Sequence, residues 1–465
     1  MTIPPAHIWR TYDIRGRTPE EINPEMALLL GRSMGALMTS RGAADIAVAR
    51  DARIGGRQIQ EALMRGLADA GLNVADIGMN PTPVMYFAVS ALGFDAGIIV
   101  TASHNPAGYN GFKTRLGGDA LFGEDIQRVR QMVEEGPPVA ESPGEIRVVD
   151  VRPAYIDTIV DDCRLPDRPL RVVIDAGNGV AGPMAVRLFS RLGVEVVPLY
   201  CDPDGTFPNH PANPTVAKNL VDLRDAVLEC RADLGVGFDG DGDRVGAVSA
   251  KGEMFFGDRM LALLAADILR DGPAAVVGDV KCSMALEEVV AAGEGTYAMT
   301  QTGYPWIQKR MAELSAPLGG ELSGHICFSD RFFGFDDGLY AATRILELVE
   351  DLDQQLADLP SHPAIPEQRL HTGEEGKWGV IDVLKEKLSG YTLLTVDGIR
   401  FSNADGWGLV RVSNTEPCLT VRAEARSHTA LDALLGVMVD ALTEIPVDID
   451  LAPLHAARKA AAQDG

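Results

Sequence analysis

A short acidic segment carries the most distinctive chemistry in the sequence. Asp239, Asp241 and Asp243 alternate with glycine directly after an apolar stretch typical of a buried strand. Three carboxylates so close together repel one another unless they share a cation, and Mg²⁺ prefers such oxygen ligands. An EF-hand loop is excluded because its sixth position is Arg244 and its twelfth is Ala250. We therefore expect a Mg²⁺ site, with a solvated acidic turn as the alternative.

A second polar loop, TASHNP over 101–106, follows the apolar run AGIIV. Its Ser103 is a candidate nucleophile or phosphate carrier, with His104 and Lys113 as neighbouring polar groups. The alternative is an ordinary turn, since Ser, Asn and Pro all favour turns. The loop occupies the same place in an internal repeat as the acidic segment, which favours the functional interpretation.

Two further loops combine residue types that bind sugars and phosphates. Glu321, Ser323 and His325 could hold sugar hydroxyls, or they could form a turn with a surface histidine. The segment RVSNTEP (411–417) could cradle a phosphate, because Arg pairs bidentately and loop amides add dipoles. An Asn-containing turn is its alternative. The polar residues of this segment include Arg411, Ser413, Asn414 and Thr415. Other cationic candidates are Arg10, Arg15, Lys113, Arg244, Lys281 and Arg422.

Two motifs point to other functions. GNGVAG over 177–182 matches GxGxxG between a strand and a helix, with Asp202 twenty residues beyond, as in dinucleotide-binding proteins. A tight turn between strand and helix is the alternative, and the motif occurs in one repeat alone. GRSMG over 31–35 matches the esterase GxSxG, but it lies inside a helical pattern without a preceding strand, which argues against an esterase elbow.

The elements that position these loops form a repeat with three copies. In each copy a strand ending in Asp is followed by a helix, a glycine and a second strand, which predicts βαβ units and mainly parallel sheets. The strands begin with IAVARD, RVVIDAGNG and AAVVGD, and the helices cover about 57–70, 181–191 and 283–291. Gly71, Gly193 and Gly293 end these helices, as left-handed residues often do. A further strand in each copy leads into one of the polar loops, so the loops can meet in one crevice.

The last hundred residues differ from the repeats and predict a smaller α+β domain. The chain is thus an α/β protein of four domains around a central cleft, with three repeated mixed-sheet domains. We place these domains at 1–148, 149–252, 253–365 and 366–465.

Composition limits the function and the cellular location. The 465 residues include 42 Lys and Arg against 66 Asp and Glu, a net charge of −24, which argues against nucleic-acid or anionic-membrane binding. Six scattered cysteines without a CxxC motif indicate a reducing, cytoplasmic environment. The sequence contains no pattern typical of a signal peptide or membrane span.

The four loops in this order resemble the α-D-phosphohexomutase family, and most closely its bacterial phosphomannomutase/phosphoglucomutase group. The resemblance covers nearly the whole chain and extends to RTYDIRG, PTPVMYFA, DRFFGFDDG and DGWGLVR. It implies that Ser103 is carried as phosphoserine and binds one Mg²⁺ per chain with Asp239, Asp241 and Asp243. It implies that Glu321, Ser323 and His325 contact the sugar. The non-reacting phosphate would be held by Arg411, Ser413, Asn414 and Thr415. The charged groups implied near the moving phosphoryl are Arg15, His104, Lys113, Arg244 and Lys281.

One position departs from the family pattern. Tyr304 occurs where similar proteins often have His, in the loop before the sugar-binding segment. Tyr can hydrogen-bond a phosphate or sugar oxygen, but it has no cationic form near neutral pH. We expect it to affect one substrate orientation or the range of sugars.

The expected activity is a reversible shift of phosphate between positions 1 and 6 of mannose or glucose, through a hexose 1,6-bisphosphate. His325 and His104 are the first candidates for the general base. Alternatives are a phosphoglucosamine mutase, a Mg²⁺-dependent phosphatase using the same serine, and a non-catalytic dinucleotide- or sugar-phosphate-binding protein. The expected partner is a small phosphosugar, and the expected assembly is a monomer, with a dimer as the alternative.

Overall fold

The structure is a computed structural model that describes residues 5–372, 377–413 and 418–462. Four separate sheets follow one another along the chain. Short 3₁₀ helices cover Ala6–Ile8, Ala217–Leu220, Leu269–Asp271 and Lys377–Gly379. Within the described ranges, no helix has both the length and the apolar character needed to cross a membrane.

The first sheet is mixed and has helices on both faces. Its strands are β1 (Ile14–Arg17), β2 (Asp45–Arg50), β3 (Asn73–Met79), β4 (Ala96–Val100), β5 (Tyr109–Leu116), β6 (Asp119–Ala120) and β7 (Ile146–Val148). Its helices are α1 (Pro24–Ser40), α2 (Gly56–Asp69), α3 (Thr82–Ala91) and α4 (Glu124–Glu135). The order is β1-β5-β4-β2-β3-β7, with β6 beside β5. β4, β2, β3 and β7 are parallel, whereas β5 runs antiparallel to β4 and β1.

The second and third sheets repeat this central arrangement. The second contains β8 (Arg171–Asp175), β9 (Glu195–Leu199), β10 (Leu234–Phe238), β11 (Val245–Ser249) and β12 (Met254–Phe256), with α5 (Arg152–Asp162), α6 (Ala181–Arg191) and α7 (Val221–Cys230). The third contains β13 (Ala275–Asp279), β14 (Thr296–Thr300), β15 (Leu318–Gly320) and β16 (Ile326–Phe328). Its helices are α8 (Asp258–Ile268), α9 (Met284–Ala292), α10 (Tyr304–Leu314), α11 (Gly338–Leu346) and α12 (Leu352–Asp358). The strand orders are β12-β11-β10-β8-β9 and β14-β13-β15-β16.

The fourth sheet is antiparallel throughout, as a separate α+β unit. Its strands are β17 (Ala364–His371), β18 (Thr392–Leu394), β19 (Ile399–Asn403), β20 (Gly406–Val412) and β21 (Cys418–Ala425). Its helices are α13 (Val380–Lys387), α14 (His428–Thr443) and α15 (Ala452–Ala461). The order is β17-β21-β20-β19-β18.

The predicted repeat is confirmed, and its elements fall within a residue or two of the expected bounds. Gly71 and Gly193 have the expected left-handed φ values of +93° and +77°. The expectation for Gly293 is wrong: its φ is −86°, and Glu294 takes the left-handed position at +55°. Gly293 is needed for space, because a Cβ there would lie 2.7 Å from the side chain of Leu269.

Apolar packing joins the first three sheets and leaves the fourth apart. One continuous core contains Phe87 of the first unit, Phe238 of the second and Tyr340 of the third. The fourth unit has its own core, built from residues between 365 and 461. It contacts the third unit through polar pairs, including Arg422 with Asp258 at 3.2 Å. A small apolar cluster at this boundary consists of Val280, Trp407 and Leu409.

Candidate active site

The loops after β4, β10 and β15 meet at the carboxyl ends of their strands, where ligands of α/β sheets collect. The hydroxyl of Ser103, after β4, donates to Asp239, after β10, over 2.6 Å. Arg244 at the end of the acidic loop pairs with His325, after β15, in an isolated β-bridge. The predicted convergence of three repeats on one site is therefore present.

The acidic loop forms a compact set of carboxylates. Asp239, Asp241 and Asp243 are fully buried, and one oxygen from each lies within 4.8 Å of the others. Gly242 has a φ of +76° and its amide donates to Asp239, which turns the loop so that the carboxylates face inward. The Oδ1 atoms of Asp241 and Asp243 are buried without a hydrogen bond. This donor set of buried oxygens fits a hard cation such as Mg²⁺.

Lys113 on β5 supplies positive charge to these carboxylates. Its ammonium group lies 2.8 Å from Asp241 and also contacts Asp243. Burial disfavours the charged ammonium, but the two carboxylates outweigh burial and raise the pKa of Lys113. Burial likewise opposes ionisation of Asp241, yet Lys113 holds the pKa of this carboxyl below its usual range. Burial and repulsion from the other two carboxylates raise the pKa of Asp239.

Ser103 is buried and has a left-handed backbone with φ of +51°, a conformation that is unfavourable outside glycine. The Thr101 hydroxyl accepts a hydrogen bond from the Ser103 amide at 2.9 Å. The Ser103 hydroxyl also lies 3.2 Å from Nδ1 of His104. This backbone turns the hydroxyl toward the acidic loop.

Two further predicted residues flank the serine. Arg15 on β1 lies 2.7 Å from Asp13 and donates to the Asn105 side chain at 2.7 Å. The positive charge of Arg244, followed by burial, lowers the pKa of His104 well below its ordinary value. His104 is therefore a neutral polar neighbour of the serine at neutral pH.

His325 lies between the second and third units. Its Nε2 accepts a hydrogen bond from Arg244 at 3.0 Å, and its Nδ1 lies 2.7 Å from Asp336. Asp336 in turn accepts from the Gln308 amide at 2.8 Å. Burial lowers the pKa of His325 to about 4, so its imidazole is neutral at neutral pH.

The sugar-binding candidates Glu321 and Ser323 form a tight turn. The Ser323 hydroxyl donates to Glu321 at 2.5 Å, and the Gly303 amide donates to the other carboxylate oxygen at 2.6 Å. Lys281 lies after β13, with its amino group 3.7 Å from Glu367 of the fourth unit. These three predicted residues therefore share the third unit's side of the cleft.

The phosphate-binding candidates of the fourth unit are described in part. Arg411 on β20 lies 2.8 Å from Asp397, and Asp397 also accepts from the Thr302 amide of the third unit at 3.0 Å. The Ser413 amide donates to the carbonyl of Cys418 at 3.0 Å. Arg411 thus lies at the boundary between the third and fourth units. The predicted residues Asn414 and Thr415 lie outside the described residues.

Four family models cover these units in order. They describe the α/β/α domains I, II and III of phosphoglucomutase/phosphomannomutase, at residues 6–138, 153–252 and 256–364, and its C-terminal domain, at 366–441. The chain belongs to the α-D-phosphohexomutase family. The family resemblance carried by the four loops is thereby confirmed.

Similar phosphohexomutases match over nearly their full lengths. A phosphomannomutase/phosphoglucomutase of Pseudomonas aeruginosa is 41% identical over 448 residues, which is 95% of this chain and 96% of the relative. A phosphoglucomutase of Neisseria meningitidis is 41% identical over 92% of this chain and 95% of its own. The crystal structure of a family protein from Burkholderia thailandensis is 39% identical, with a TM-score of 0.90, covering 96% of this chain and 100% of that one.

Tyr304 of this phosphohexomutase lies beneath the site. It begins α10 and is 2% exposed, with its ring centroid 5.8 Å from that of Tyr12 and 5.7 Å from that of His325. The Lys113 ammonium lies 5.9 Å from the ring. Burial raises the pKa of its hydroxyl, which stays protonated. A direct contact of Tyr304 with substrate therefore remains a prediction, whereas its packing against catalytic candidates is present.

Sequence reasoning missed residues that support the site. Thr82, at the start of α3, donates its hydroxyl to Asp241 at 2.6 Å and its amide to the Asp241 carbonyl at 2.8 Å. Asp336 approaches His325, and burial raises the pKa of Asp336 to about 6. Both lie in segments that carry the family resemblance, PTPVMYFA and DRFFGFDDG. The signal was present in those segments, but no spacing rule links Thr82 to Asp241, 159 positions away, and none predicts that Asp336 turns back onto His325.

The two competing motifs are structural in this phosphohexomutase. Gly31 lies inside α1 and packs against α2, so no esterase elbow exists there. In the loop 177–182, a Cβ at Gly177 would lie 3.1 Å from His210 and Ala212. This close packing fits a tight turn that is covered by the segment around residues 210–212. His210 lies 3.0 Å from Asp175. Burial opposes its charge, but Asp175 outweighs burial and raises the pKa of His210.

Proposed function

We propose that this protein is a phosphohexomutase that interconverts hexose 1-phosphates and 6-phosphates of mannose and glucose. The observation that carries the proposal is the 2.6 Å contact between the Ser103 hydroxyl and Asp239 within a buried carboxylate set. This contact supports a carrier role for Ser103, because a phosphoryl group on its hydroxyl would lie beside the candidate Mg²⁺ ligands and Lys113. Relatives named for this activity align along the whole chain.

The reaction proceeds in two phosphoryl transfers. A free hydroxyl of the hexose phosphate attacks the phosphorus of phospho-Ser103, the bond from phosphorus to Oγ breaks, and a hexose 1,6-bisphosphate forms. We assign the hydroxyl proton to His325, whose neutral imidazole lies beside the acidic loop. Its Nε2 must release the hydrogen bond from Arg244 before it can take that proton. The bisphosphate turns over in the cleft and its other phosphoryl passes to Ser103. The proton returns from His325 to the sugar oxygen that is released.

The cations around Ser103 stabilise charge on the moving phosphoryl. Lys113, Arg15 and Arg244 surround the carrier loop and are held by acidic or polar partners. Their fixed positions spare the cost of reorganisation during the reaction. Asp239, Asp241 and Asp243, with the serine phosphate, would hold one Mg²⁺, which supplies further neutralisation of phosphoryl charge when bound.

The rest of the cleft holds the sugar and its second phosphate. Glu321 and Ser323 present oxygens suited to sugar hydroxyls, with Lys281 and Tyr304 nearby in the third unit. Arg411 and Ser413 of the fourth unit, together with Asn414 and Thr415, would hold the non-reacting phosphate. Closure of the fourth unit would exclude water, which otherwise hydrolyses the phosphoserine.

The direct test follows mannose 1-phosphate and glucose 1-phosphate by ³¹P NMR, with Mg²⁺ and a trace of glucose 1,6-bisphosphate. Appearance of the 6-phosphate is the expected result, and the relative rates identify the preferred sugar. Glucosamine 1-phosphate, run in parallel, tests the amino-sugar alternative. Steady release of inorganic phosphate without isomerisation would instead indicate the phosphatase.

Two variants test the assigned roles. Ser103→Ala removes the phosphate carrier, and we expect turnover to be abolished; near-normal rates would refute the carrier assignment. Asp241→Asn removes one carboxylate, and we expect weaker dependence on Mg²⁺ together with a lower rate. An unchanged Mg²⁺ titration would dismiss the carboxylate set as the metal site.

We also infer a cytoplasmic monomer. No disulfide bond joins cysteines in the part of the chain that the structure describes, which suits a reducing compartment. The four loops of one chain supply every group assigned above, so catalysis needs no second subunit. Light scattering on the purified protein tests this, and a stable dimer would contradict it.

A further inference from the structure

The guanidinium of Arg53 donates hydrogen bonds to several backbone carbonyls of the loop that contains Ser103. Arg53 donates from Nη2 to the carbonyls of Ser103 and Asn105, both at 2.6 Å. It donates from Nη1 to the carbonyls of Pro106 and Tyr109, at 2.8 and 3.0 Å. Four acceptors on one planar group fix the path of the whole loop, since Arg donors diverge in a rigid fork.

The same contact network reaches the amide side of the serine. Asp51 lies 3.2 Å from Nε of Arg53, and its Oδ2 accepts from the Thr101 hydroxyl at 2.7 Å. That hydroxyl accepts from the Ser103 amide at 2.9 Å. The neighbouring pair of Asp51 and Arg53 therefore restrains the peptide groups on both sides of Ser103.

This network is buried and bridges two units. The Arg53 side chain is fully buried, and the Phe207 ring of the second unit lies 5.1 Å from its guanidinium. A buried charge is costly unless it is paired and hydrogen-bonded, so four carbonyl acceptors and the nearby Asp51 carboxylate explain how the Arg53 charge is tolerated here. What the network holds is the unfavourable left-handed backbone of Ser103.

The repeat shows that this role belongs to one copy. Asp175 and Asp279 end β8 and β13, and Asp51 directly follows the equivalent strand β2. Each of these carboxylates accepts a hydrogen bond from the amide two residues later. The residue that donates this amide is Arg53, Gly177 or Lys281 in the three copies. The first copy alone, among the three, has a guanidinium there, and it binds the loop with the carrier serine.

We propose that Arg53 is a positioning residue that holds Ser103 in its left-handed conformation, with Oγ directed at Asp239. The inference rests on the proposed function, because it assigns Arg53 to the phosphate-carrying step. Within the described residues, Arg53 makes no contact with the sugar-binding candidates Glu321 and Ser323, so we expect it to act on transfer to and from Ser103 and not on substrate affinity.

The test compares Arg53→Lys with the matched control Arg50→Lys, whose guanidinium makes one bond to the Asp51 carbonyl at 3.1 Å. The rate of Ser103 phosphorylation by glucose 1,6-bisphosphate is followed by intact mass, beside kcat, KM and the melting temperature. Lys cannot span four carbonyls, and a displacement of about 1 Å costs about 100-fold. We expect Arg53→Lys to lower phosphorylation rate and kcat at least about 30-fold, with KM within about threefold of wild type. We expect Arg50→Lys to stay within about twofold of wild type.

Each other outcome has a defined meaning. Equal phosphorylation rates in Arg53→Lys and wild type would overturn the inference while the proposed function stands. A rise in KM with unchanged kcat would also overturn it, because that pattern indicates lost substrate binding. If Arg53→Lys fails to fold, Thr101→Val removes the acceptor of the Ser103 amide and must show the same fall in kcat. A wild-type protein that never gains a phosphate would overturn the proposed function and this inference together.

Discussion

Gly240 separates the first two carboxylates of the acidic loop and leaves no room for a side chain. A Cβ at this position would lie 2.3 Å from the carbonyl oxygen of Ser103. Gly240 does not have a positive φ, so alanine could adopt its backbone conformation without strain. Glycine is therefore needed at position 240 because the acidic loop lies so close to the loop that contains Ser103. Gly240→Ala tests the effect of the distance between these two loops.

The expected effect follows from the distance. To bring this contact from 2.3 Å to an ordinary 3.4 Å, the two loops must separate by 1.1 Å. That movement would break the 2.6 Å contact between Ser103 and Asp239. A misplacement of about 1 Å at a reacting group costs about 100-fold in rate. We therefore expect Gly240→Ala to lower kcat by about two orders of magnitude.

The assay measures mutase turnover and the phosphorylation rate of Ser103 by intact mass. Gly118→Ala is the matched control, because a Cβ there would meet nothing within 4 Å and its φ is not positive. A fully phosphorylated Gly240→Ala protein with kcat within about threefold of wild type would refute the argument that loop separation sets the rate.

Three further substitutions test contacts around the site. Thr82→Val removes the 2.6 Å hydrogen bond to the buried Asp241 carboxylate and should cost about 1.5–3 kcal/mol in denaturant unfolding, whereas Thr82→Ser should cost less. Tyr155→Phe removes the hydroxyl that donates at 2.8 Å to Asp337, the residue whose carboxylate caps the start of α11. This change should lower the free energy of unfolding by about 1–3 kcal/mol. Because Asp175 raises the pKa of His210, their pairing stabilises the fold most below about pH 6.5 and less as pH rises through the folded pKa. His210→Gln should therefore lose more stability at about pH 5.5 than at about pH 8, and equal losses would contradict the assignment.

Local patterns were enough to predict the repeated elements and the two loops that contain Ser103 and Asp239. Short Val- and Ile-rich strands ending in Asp specify βαβ units, and the equivalent loops must then share an edge. The left-handed φ of Ser103 was not predictable, because the contacts that hold it come from Arg53 and Asp239, which are distant in sequence.

Burial was the other property that local patterns did not provide. Tyr304 has a residue type that suits a polar contact with substrate, yet it packs beneath the site against Tyr12 and His325. The contact of Asp397 with the Thr302 amide likewise depends on how the fourth unit is placed against the third. Such contacts arise from tertiary packing, which residue type and spacing do not encode on their own.

The distribution of apolar packing has a mechanical consequence. The first three units share one core, so rotating any of them against the others would tear apolar surfaces apart and expose them to water. The fourth unit is attached by ion pairs such as Arg422 with Asp258, and by one small apolar cluster. The Arg422–Asp258 pair is itself largely buried, so the units can separate there only where water or phosphate oxygens replace both charged partners. The fourth unit therefore shares the least apolar surface with its neighbours, and we expect the opening and closing of the cleft to be a movement of this unit about the segment 359–363, between α12 and β17.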